Sequence, residues 1–116
     1  MSNEQSWPPE LDALTAAPEN HKLLFENDSV RVLDTCIAAG HSTPLHSHRW
    51  PAALYVLSWS EFLRRDECGQ TVLDSRNITP ATPGSGLWTP ALAPHTLENI
   101  GSSELRIIAV EIKSDR

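Results

Sequence analysis

The stretch Gly40-His41-Ser42-Thr43-Pro44-Leu45-His46-Ser47-His48 carries two histidines one residue apart, and a third follows in Pro90-Ala91-Leu92-Ala93-Pro94-His95. Residues i and i+2 of a strand face the same side, so a strand here places the imidazoles of His46 and His48 side by side. Three neutral imidazoles at ~2.0–2.1 Å can hold a divalent first-row metal and leave coordination positions open, as catalytic sites require. We therefore predict that His46, His48 and His95 bind a metal.

The rest of the chain alternates short β-prone segments with turn residues. The pattern predicts strands over 22–25, 30–38, the histidine pair, 54–59, 61–65, 71–74, 87–88, 96–99 and 105–113. Frequent turns and the absence of a helical period of useful length indicate an all-β sandwich or barrel, between which composition does not choose. Three prolines interrupt residues 1–20, which we interpret as an irregular arm with at most a short helical turn over 10–16. We expect residues 21–116 to form a single all-β domain.

Composition limits the class of protein. A chain of 116 residues forms one domain with a modest core. Its longest apolar runs, over 52–57 and 107–110, fall far short of the ~20 residues that span a bilayer, and residues 1–9 do not resemble a secretory signal. We therefore expect a soluble, cytoplasmic protein. The formal net charge of −6 argues against nucleic acid and anionic membranes as partners, and we expect Arg64-Arg65 to lie on a solvated strand edge.

The last predicted strand is apolar on both faces. Its alternate positions place Leu105, Ile107 and Ala109 on one side and Ile108, Val110 and Ile112 on the other. In so small a domain, one face can meet the barrel interior while the other packs on a second layer or a second subunit. We expect a homodimer.

At the histidine segments the chain resembles the cupin superfamily. The first cupin motif runs glycine, five residues, His-x-His, three or four residues, glutamate, six residues, glycine, and here it is matched by Gly40, His46 and His48. The second runs glycine, five residues, proline, one residue, glycine, two residues, histidine, three residues, asparagine. The residues that match the second motif are Gly84, Pro90, His95 and Asn99. The resemblance covers roughly residues 23–113.

Three motif positions depart from the cupin pattern. Ala52 or Ala53 stands in place of the glutamate, Trp59 in place of the closing glycine of the first motif, and Leu92 in place of the second glycine of the second. Without the motif carboxylate, three neutral imidazoles leave the full +2 charge of the metal, which favours a small anionic, bidentate ligand.

The resemblance implies a double-stranded β-helix, that is, a jelly-roll barrel with a divalent transition metal (Fe, Zn or Ni) in its mouth. Three-histidine sites of this kind resemble those of cupin dioxygenases, in which substrate and oxygen share the open positions of the metal. The alternatives are a metal-dependent isomerase or lyase, and a cupin that binds a metal or small molecule without catalysis. No residue in the motifs is an obvious general base, so catalytic residues stay unassigned.

Several further residues near the motifs are predicted to line the pocket or to lie on the surface. Candidate pocket-lining residues are Trp50, Tyr55, Trp88, Leu97 and Asn99. The aromatic residues among them, and Trp59, can equally be ordinary barrel core or interface packing. We interpret His21 and His41 as polar surface residues. Strand parity directs Arg49 away from the metal.

Overall fold

The computed structural model describes residues 7–113, which fold into two facing antiparallel sheets. The strands are β1 (His21–Glu26), β2 (Val30–Ile37), β3 (His46–His48), β4 (Ala52–Ser58), β5 (Phe62–Asp66), β6 (Thr71–Asp74), β7 (Gly86–Thr89), β8 (Leu92–Asn99) and β9 (Leu105–Ile112). One sheet has the order β1-β2-β9-β4-β7 and the other β3-β8-β5-β6. The all-β jelly-roll prediction is confirmed, and the strands that the pattern predicts differ from the observed ones mainly at their ends.

The irregular start of the chain lies against the barrel. It contains a 3-10 turn at Pro9–Leu11 and the single-turn helix α1 at Ala13–Ala16, in agreement with the short helical turn that the sequence predicts. Asp12 caps α1 by accepting a hydrogen bond from the backbone N–H of Leu14, and Ala13 is fully buried. A β-bridge links Asp12 to Ser47 in β3, so this segment touches the strand that carries the histidine pair.

Inward-facing apolar side chains pack in the space between the two sheets. Ile37, Phe62 and Leu105 form the buried centre of this core. Further apolar side chains pack around them: Trp59, Leu73, Leu97 and Ile107. Strand alternation accounts for the arrangement, because β2 and β9 turn every second residue toward the opposite sheet. The core therefore occupies part of the space between the sheets and leaves the rest to a cavity.

Asn99 belongs to the framework, which corrects its assignment to the pocket. Its side chain is fully buried and donates hydrogen bonds to the carbonyl oxygens of Ile37 and Ser103, at 2.9 and 2.8 Å. Its amide oxygen accepts from the Ser60 hydroxyl and from the backbone N–H of Gly101. With every polar atom engaged, Asn99 ties the end of β8 to neighbouring loops and offers nothing to a ligand.

Tyr55 and Arg64 also lie elsewhere than the sequence indicates. Tyr55 is half exposed, in register with Ile108 on the outer face of the larger sheet, so it does not line the pocket. β5 is flanked by β8 and β6 and is therefore no edge strand. Arg64 shares the inward face of β5 with Phe62, whereas Arg65 points outward and pairs with Glu98 at 2.9 Å.

The outer face of the larger sheet is apolar along its centre. Ile108 and Val110 of β9 are partly buried, while Tyr55, Leu57 and Ile112 are exposed. The two-faced apolar pattern of the last strand is thus present in the structure. Within residues 7–113, no helix is long and apolar enough to cross a membrane.

Candidate metal centre

Four histidines meet where the edge strands of the two sheets approach each other. His46 and His48 lie on β3, and His95 of β8 is the register partner of His46. His21 comes from β1 in the facing sheet. The ring centroid of His46 lies 4.4 Å from the ring centroid of His95, 4.8 Å from that of His21 and 5.1 Å from that of His48. The three histidines named by the motifs do come together, and His21 joins them.

His21 corrects the interpretation of this residue as surface filler. Its exposed fraction is 4%. One ligand nitrogen from each of His21, His46 and His48 lies within 4.8 Å of the other two, a spacing that a single ion can draw together. This group of ligand atoms does not include His95, whose ring contacts the rings of His46 and His48 at centroid distances of 4.4 and 5.8 Å. His41 is exposed, as expected.

The pairing of β1 with β2 explains why His21 faces inward. In register, His21 pairs with Thr35 on the inward face of β2, and Thr35 lines the cavity. Cross-strand partners share a face of the sheet, so His21 is directed inward. That relation depends on how β1 pairs with β2, which local sequence does not fix.

All four imidazoles use Nδ1 for a hydrogen bond to an oxygen. The Nδ1···O distances are 3.0 Å for His21, 2.8 Å for His46, 2.9 Å for His48 and 2.7 Å for His95. The acceptors are the backbone carbonyls of Ala17, Pro44 and Ala93 and the carboxylate of Glu111. A carbonyl oxygen can only accept, so Nδ1 carries the proton in His21, His46 and His95.

This arrangement leaves Nε2 as the metal-binding atom. In a neutral imidazole protonated at Nδ1, the Nε2 lone pair is free. Hydrogen bonding of the second ring nitrogen to a carbonyl or carboxylate is the usual way in which proteins fix the orientation of metal-ligating histidines. The donor set therefore fits a divalent transition metal.

Burial keeps three of these imidazoles neutral. Removal from water lowers the pKa of His21 and of His95 to about 3 and that of His46 to about 4, and the nearby imidazoles lower these pKa values further. Neutral histidines are the form that binds metal ions, so no proton has to leave these three near neutral pH.

A chain of buried charges lies behind His48. Glu111, which is fully buried, accepts a hydrogen bond from Arg31 Nε at 2.7 Å as well as contacting His48 Nδ1. Arg31 donates through both of its terminal nitrogens to the carboxylate of Asp12, at 2.9 and 3.0 Å. These charge-assisted hydrogen bonds orient Glu111, and Glu111 in turn orients His48.

Glu111 also bears on the glutamate missing from the first motif. It is the register partner of Ala52 across β4 and β9, so a carboxylate lies directly opposite the position where the motif glutamate is absent. Here the carboxylate contacts His48 and Arg31. The formal charges of Asp12, Arg31 and Glu111 leave one negative charge behind the imidazoles, which moderates the full +2 expected from the sequence.

The histidines open into an apolar cavity of about 400 Å³ between the sheets. This volume falls within the usual range of small-molecule sites, roughly 300–1,000 Å³. Of the residues that the sequence assigns to the pocket, Trp50, Trp88 and Leu97 line it. Arg64, which the sequence does not assign to the pocket, lines it as well. The site thus combines a group of imidazole nitrogens, apolar walls, the guanidinium of Arg64 and the carboxylate of Glu111.

Solved structures share this architecture. A cupin domain from Bordetella pertussis Tohama I superposes with a TM-score of 0.65 at 20% identity, over 81% of this chain and 92% of that one. An RmlC-like cupin family protein with a double-stranded β-helix fold, from Methanocaldococcus jannaschii, superposes with a TM-score of 0.56 at 16% identity. The match covers 79% of this chain and 77% of that one. The chain has the cupin fold.

A third cupin-fold neighbour is the polyketide cyclase RemF from Streptomyces resistomycificus. It gives a TM-score of 0.53 at 24% identity, over 79% of this chain and 63% of that one. No protein-family model matches the sequence, and comparison with curated proteins gives no match. At these identities the comparisons establish the cupin fold, while the chemistry of the site rests on the residues of this chain.

The lowered histidine pKa values predict that metal-free protein loses stability in acid. An unfolded histidine takes up a proton near pH 6.5, whereas His21, His46 and His95 stay neutral in the fold until about pH 3–4. The stability present above pH 6.5 is therefore lost as the pH falls, by about 1.4 kcal/mol per pH unit for each such histidine. Urea unfolding between pH 7.5 and 4.5 measures this slope. His95→Gln should reduce this slope by the contribution of one histidine, about 1.4 kcal/mol per pH unit, whereas exposed His41→Gln should leave the slope unchanged. Equal slopes in the wild type and His95→Gln would contradict this prediction.

Proposed function

We propose that this cupin is a metal-dependent enzyme in which His21, His46, His48 and His95 hold a divalent transition metal. The observation that carries the proposal is the shared use of Nδ1 as hydrogen-bond donor, which leaves the Nε2 lone pairs of the clustered imidazoles for one ion. Imidazole suits Fe, Zn and Ni alike, so the ligand set does not choose among these metals.

The ligand of the site is, in this proposal, a small anionic molecule that chelates the metal. Neutral imidazoles do not cancel the metal charge, and the cavity is large enough for a small ligand. Its apolar walls would exclude water around the bound molecule, which strengthens electrostatic interactions inside. Arg31, Glu111 and Asp12 would hold His48 in its orientation, and Glu111 itself also lines the cavity.

The number of imidazoles favours isomerase or lyase chemistry. A metal held by His21, His46, His48 and His95 would have room for one chelating ligand and little room for a second reactant. A metal in this site would act as a Lewis acid that polarises a carbonyl or stabilises an enolate. The chain's own contribution is to orient the ligand against the histidine cluster and to keep the cavity dry.

A dioxygenase is the second candidate. A metal that takes both a chelating substrate and oxygen would need more room, which a site held by His46, His48 and His95 without His21 would provide. One observation favours it: His21 comes from the facing sheet, while His46, His48 and His95 lie on the paired strands β3 and β8. A cupin that binds metal or ligand without turnover is the third candidate, and the cytoplasmic location stays an expectation from the sequence.

Metal analysis of histidine variants tests the proposed site. Wild-type protein purified without chelator should contain about one equivalent of metal, and His46→Gln or His48→Gln should lose it because each removes a central ligand. His21→Gln should weaken binding, whereas His41→Gln should match the wild type. Elemental analysis with competitive chelator titration measures these differences. Unchanged occupancy in His46→Gln and His48→Gln would refute the ligand set, and faster oxygen consumption by His21→Gln than by wild type would favour the dioxygenase.

We also propose that two copies of the chain pair through the outer face of the larger sheet. The support is the group of apolar side chains there, in which Tyr55 is 50% exposed and Leu57 38% exposed beside Ile108 and Val110. A contiguous apolar patch of this kind marks an interface in many proteins, and the same patch on two copies suits a twofold dimer.

Solution mass tests the dimer. Light scattering after size exclusion should give about twice the 12.8 kDa of the chain, and Tyr55→Lys should shift the protein toward monomer by placing a charge in the apolar contact. Val72→Lys, which alters an exposed apolar residue of the other sheet, is the control. A wild-type monomer at high micromolar concentration would contradict the pairing.

A further inference from the structure

Arg64 is an unusual residue for the interior of this barrel. It lies on β5 between Phe62 and Asp66, in register with Leu97 on one side and Leu73 on the other. Leu73 and Leu97 line the cavity, and so does Arg64. A guanidinium in such surroundings loses hydration, and proteins normally compensate for that loss with a carboxylate partner.

No such partner is present among residues 7–113. The neighbouring Arg65 pairs with Glu98 and the buried Arg31 pairs with Asp12 and Glu111, but Arg64 makes no ion pair in this part of the chain. Its Nε atom is buried without a hydrogen-bond acceptor. Burial lowers the pKa of the Arg64 guanidinium, and no opposing carboxylate raises it. An arginine nevertheless stays protonated in proteins, so a guanidinium without an ion-pair partner lines the same cavity that the carboxylate of Glu111 lines beside His48.

A second buried donor on the cavity wall also lacks an acceptor. The indole Nε1 of Trp59 is buried and unpaired within the described residues, while the ring packs edge-on against Phe62. Buried N–H groups without partners are rare in native proteins, and each one needs an explanation such as a bound molecule. Both residues line the same cavity, so a ligand bound there would change the surroundings of both donors.

Arg64 also lies within electrostatic range of the histidine cluster. After burial and the neighbouring imidazoles, the charge of Arg64 contributes to lowering the pKa values of His46 and His95. Arg64 is the register partner of Leu97 on β8. His95 is the next inward residue of β8, roughly 7 Å from Leu97 along the strand. A small molecule can therefore contact Arg64 and the histidine cluster at the same time.

We propose that Arg64 binds a carboxylate of the substrate, so that the site takes small acids with a chelating head, an apolar body and a carboxylate end. The inference rests on the proposed function for the chelating head alone, because Arg64 and Trp59 belong to the protein with or without a metal. One unpaired guanidinium matches a monoanion. A phosphate dianion would leave one negative charge uncompensated in an apolar cavity, so a carboxylate is preferred.

Nuclear magnetic resonance of the metal-free protein observes both donors directly. Uniformly ¹⁵N-labelled full-length chain is titrated with phenylacetate, 3-phenylpropionate and 4-phenylbutyrate, each beside its neutral amide, and with phenyl phosphate. We expect at least one carboxylate to cause saturable shifts of the Arg64 Nε–H and Trp59 indole N–H signals. Its amide should bind at least tenfold more weakly, and phenyl phosphate should bind more weakly than the carboxylate.

Three variants localise the effect. Arg64→Met should reduce carboxylate affinity at least tenfold and bind acid and amide alike, whereas Arg65→Met, which alters the outward neighbour, should keep the wild-type preference. Arg64→Lys provides a second variant that keeps the charge and loses the planar donor group, and it should retain part of the preference. Circular dichroism and thermal unfolding establish that each variant is folded.

The outcomes separate this inference from the metal proposal. Absence of saturable carboxylate binding to the wild type, tighter binding of phenyl phosphate, or an unchanged preference in folded Arg64→Met would overturn it. Metal content of Arg64→Met is measured in parallel and should equal that of the wild type. A wild-type protein that binds carboxylates through Arg64 but no metal would refute the proposed function and leave the role of Arg64 standing.

Discussion

The arrangement of this site depends on where four imidazole protons are held. In each of His21, His46, His48 and His95, Nδ1 faces a carbonyl or carboxylate oxygen of the surrounding framework. A buried cluster of imidazoles with their protons directed inward would repel one another and would expose no lone pair to an ion. With the protons directed outward, the unprotonated nitrogens are available to one centre, and the cost of burying them is offset when a metal binds.

The outer contacts connect the site to distant parts of the chain. Three acceptors are backbone carbonyls close in sequence to their histidines, so local backbone geometry sets those orientations. His48 is different, because its acceptor Glu111 lies on β9 and is held by Arg31 of β2, which Asp12 in turn holds from the start of the chain. The segment around α1 thereby contributes to the orientation of His48, which lies far from it in sequence.

Local pattern was sufficient to predict the fold and part of the site. Turn residues and β-prone segments indicate the strands, and motif spacing identifies His46, His48 and His95 as neighbours. His21 and Arg64 could not be found in this way, because neither belongs to a motif and the inward direction of each side chain follows from strand register. Asn99 shows the opposite case. Its parity is correct and it is buried, but the loops at its end of β8 use every polar atom it has.

The same limit applies to the missing motif glutamate. Sequence spacing shows alanine at that position, and only the register of β4 with β9 reveals that Glu111 lies opposite Ala52. Charge balance in a site depends on such cross-strand neighbours. For this reason the proposed preference for an anionic ligand rests more on Arg64, which makes no ion pair among residues 7–113, than on the loss of one carboxylate alone.

The number of imidazoles that bind an added metal tests the four-histidine centre most directly. X-ray absorption spectroscopy of the wild-type protein loaded with one equivalent of zinc should show four imidazole nitrogens at about 2.0–2.1 Å, and His21→Gln should show three. Four imidazoles that fall to three would establish that His21 completes the cluster. Three or fewer imidazoles in the wild type, with no change in His21→Gln, would contradict the four-histidine centre.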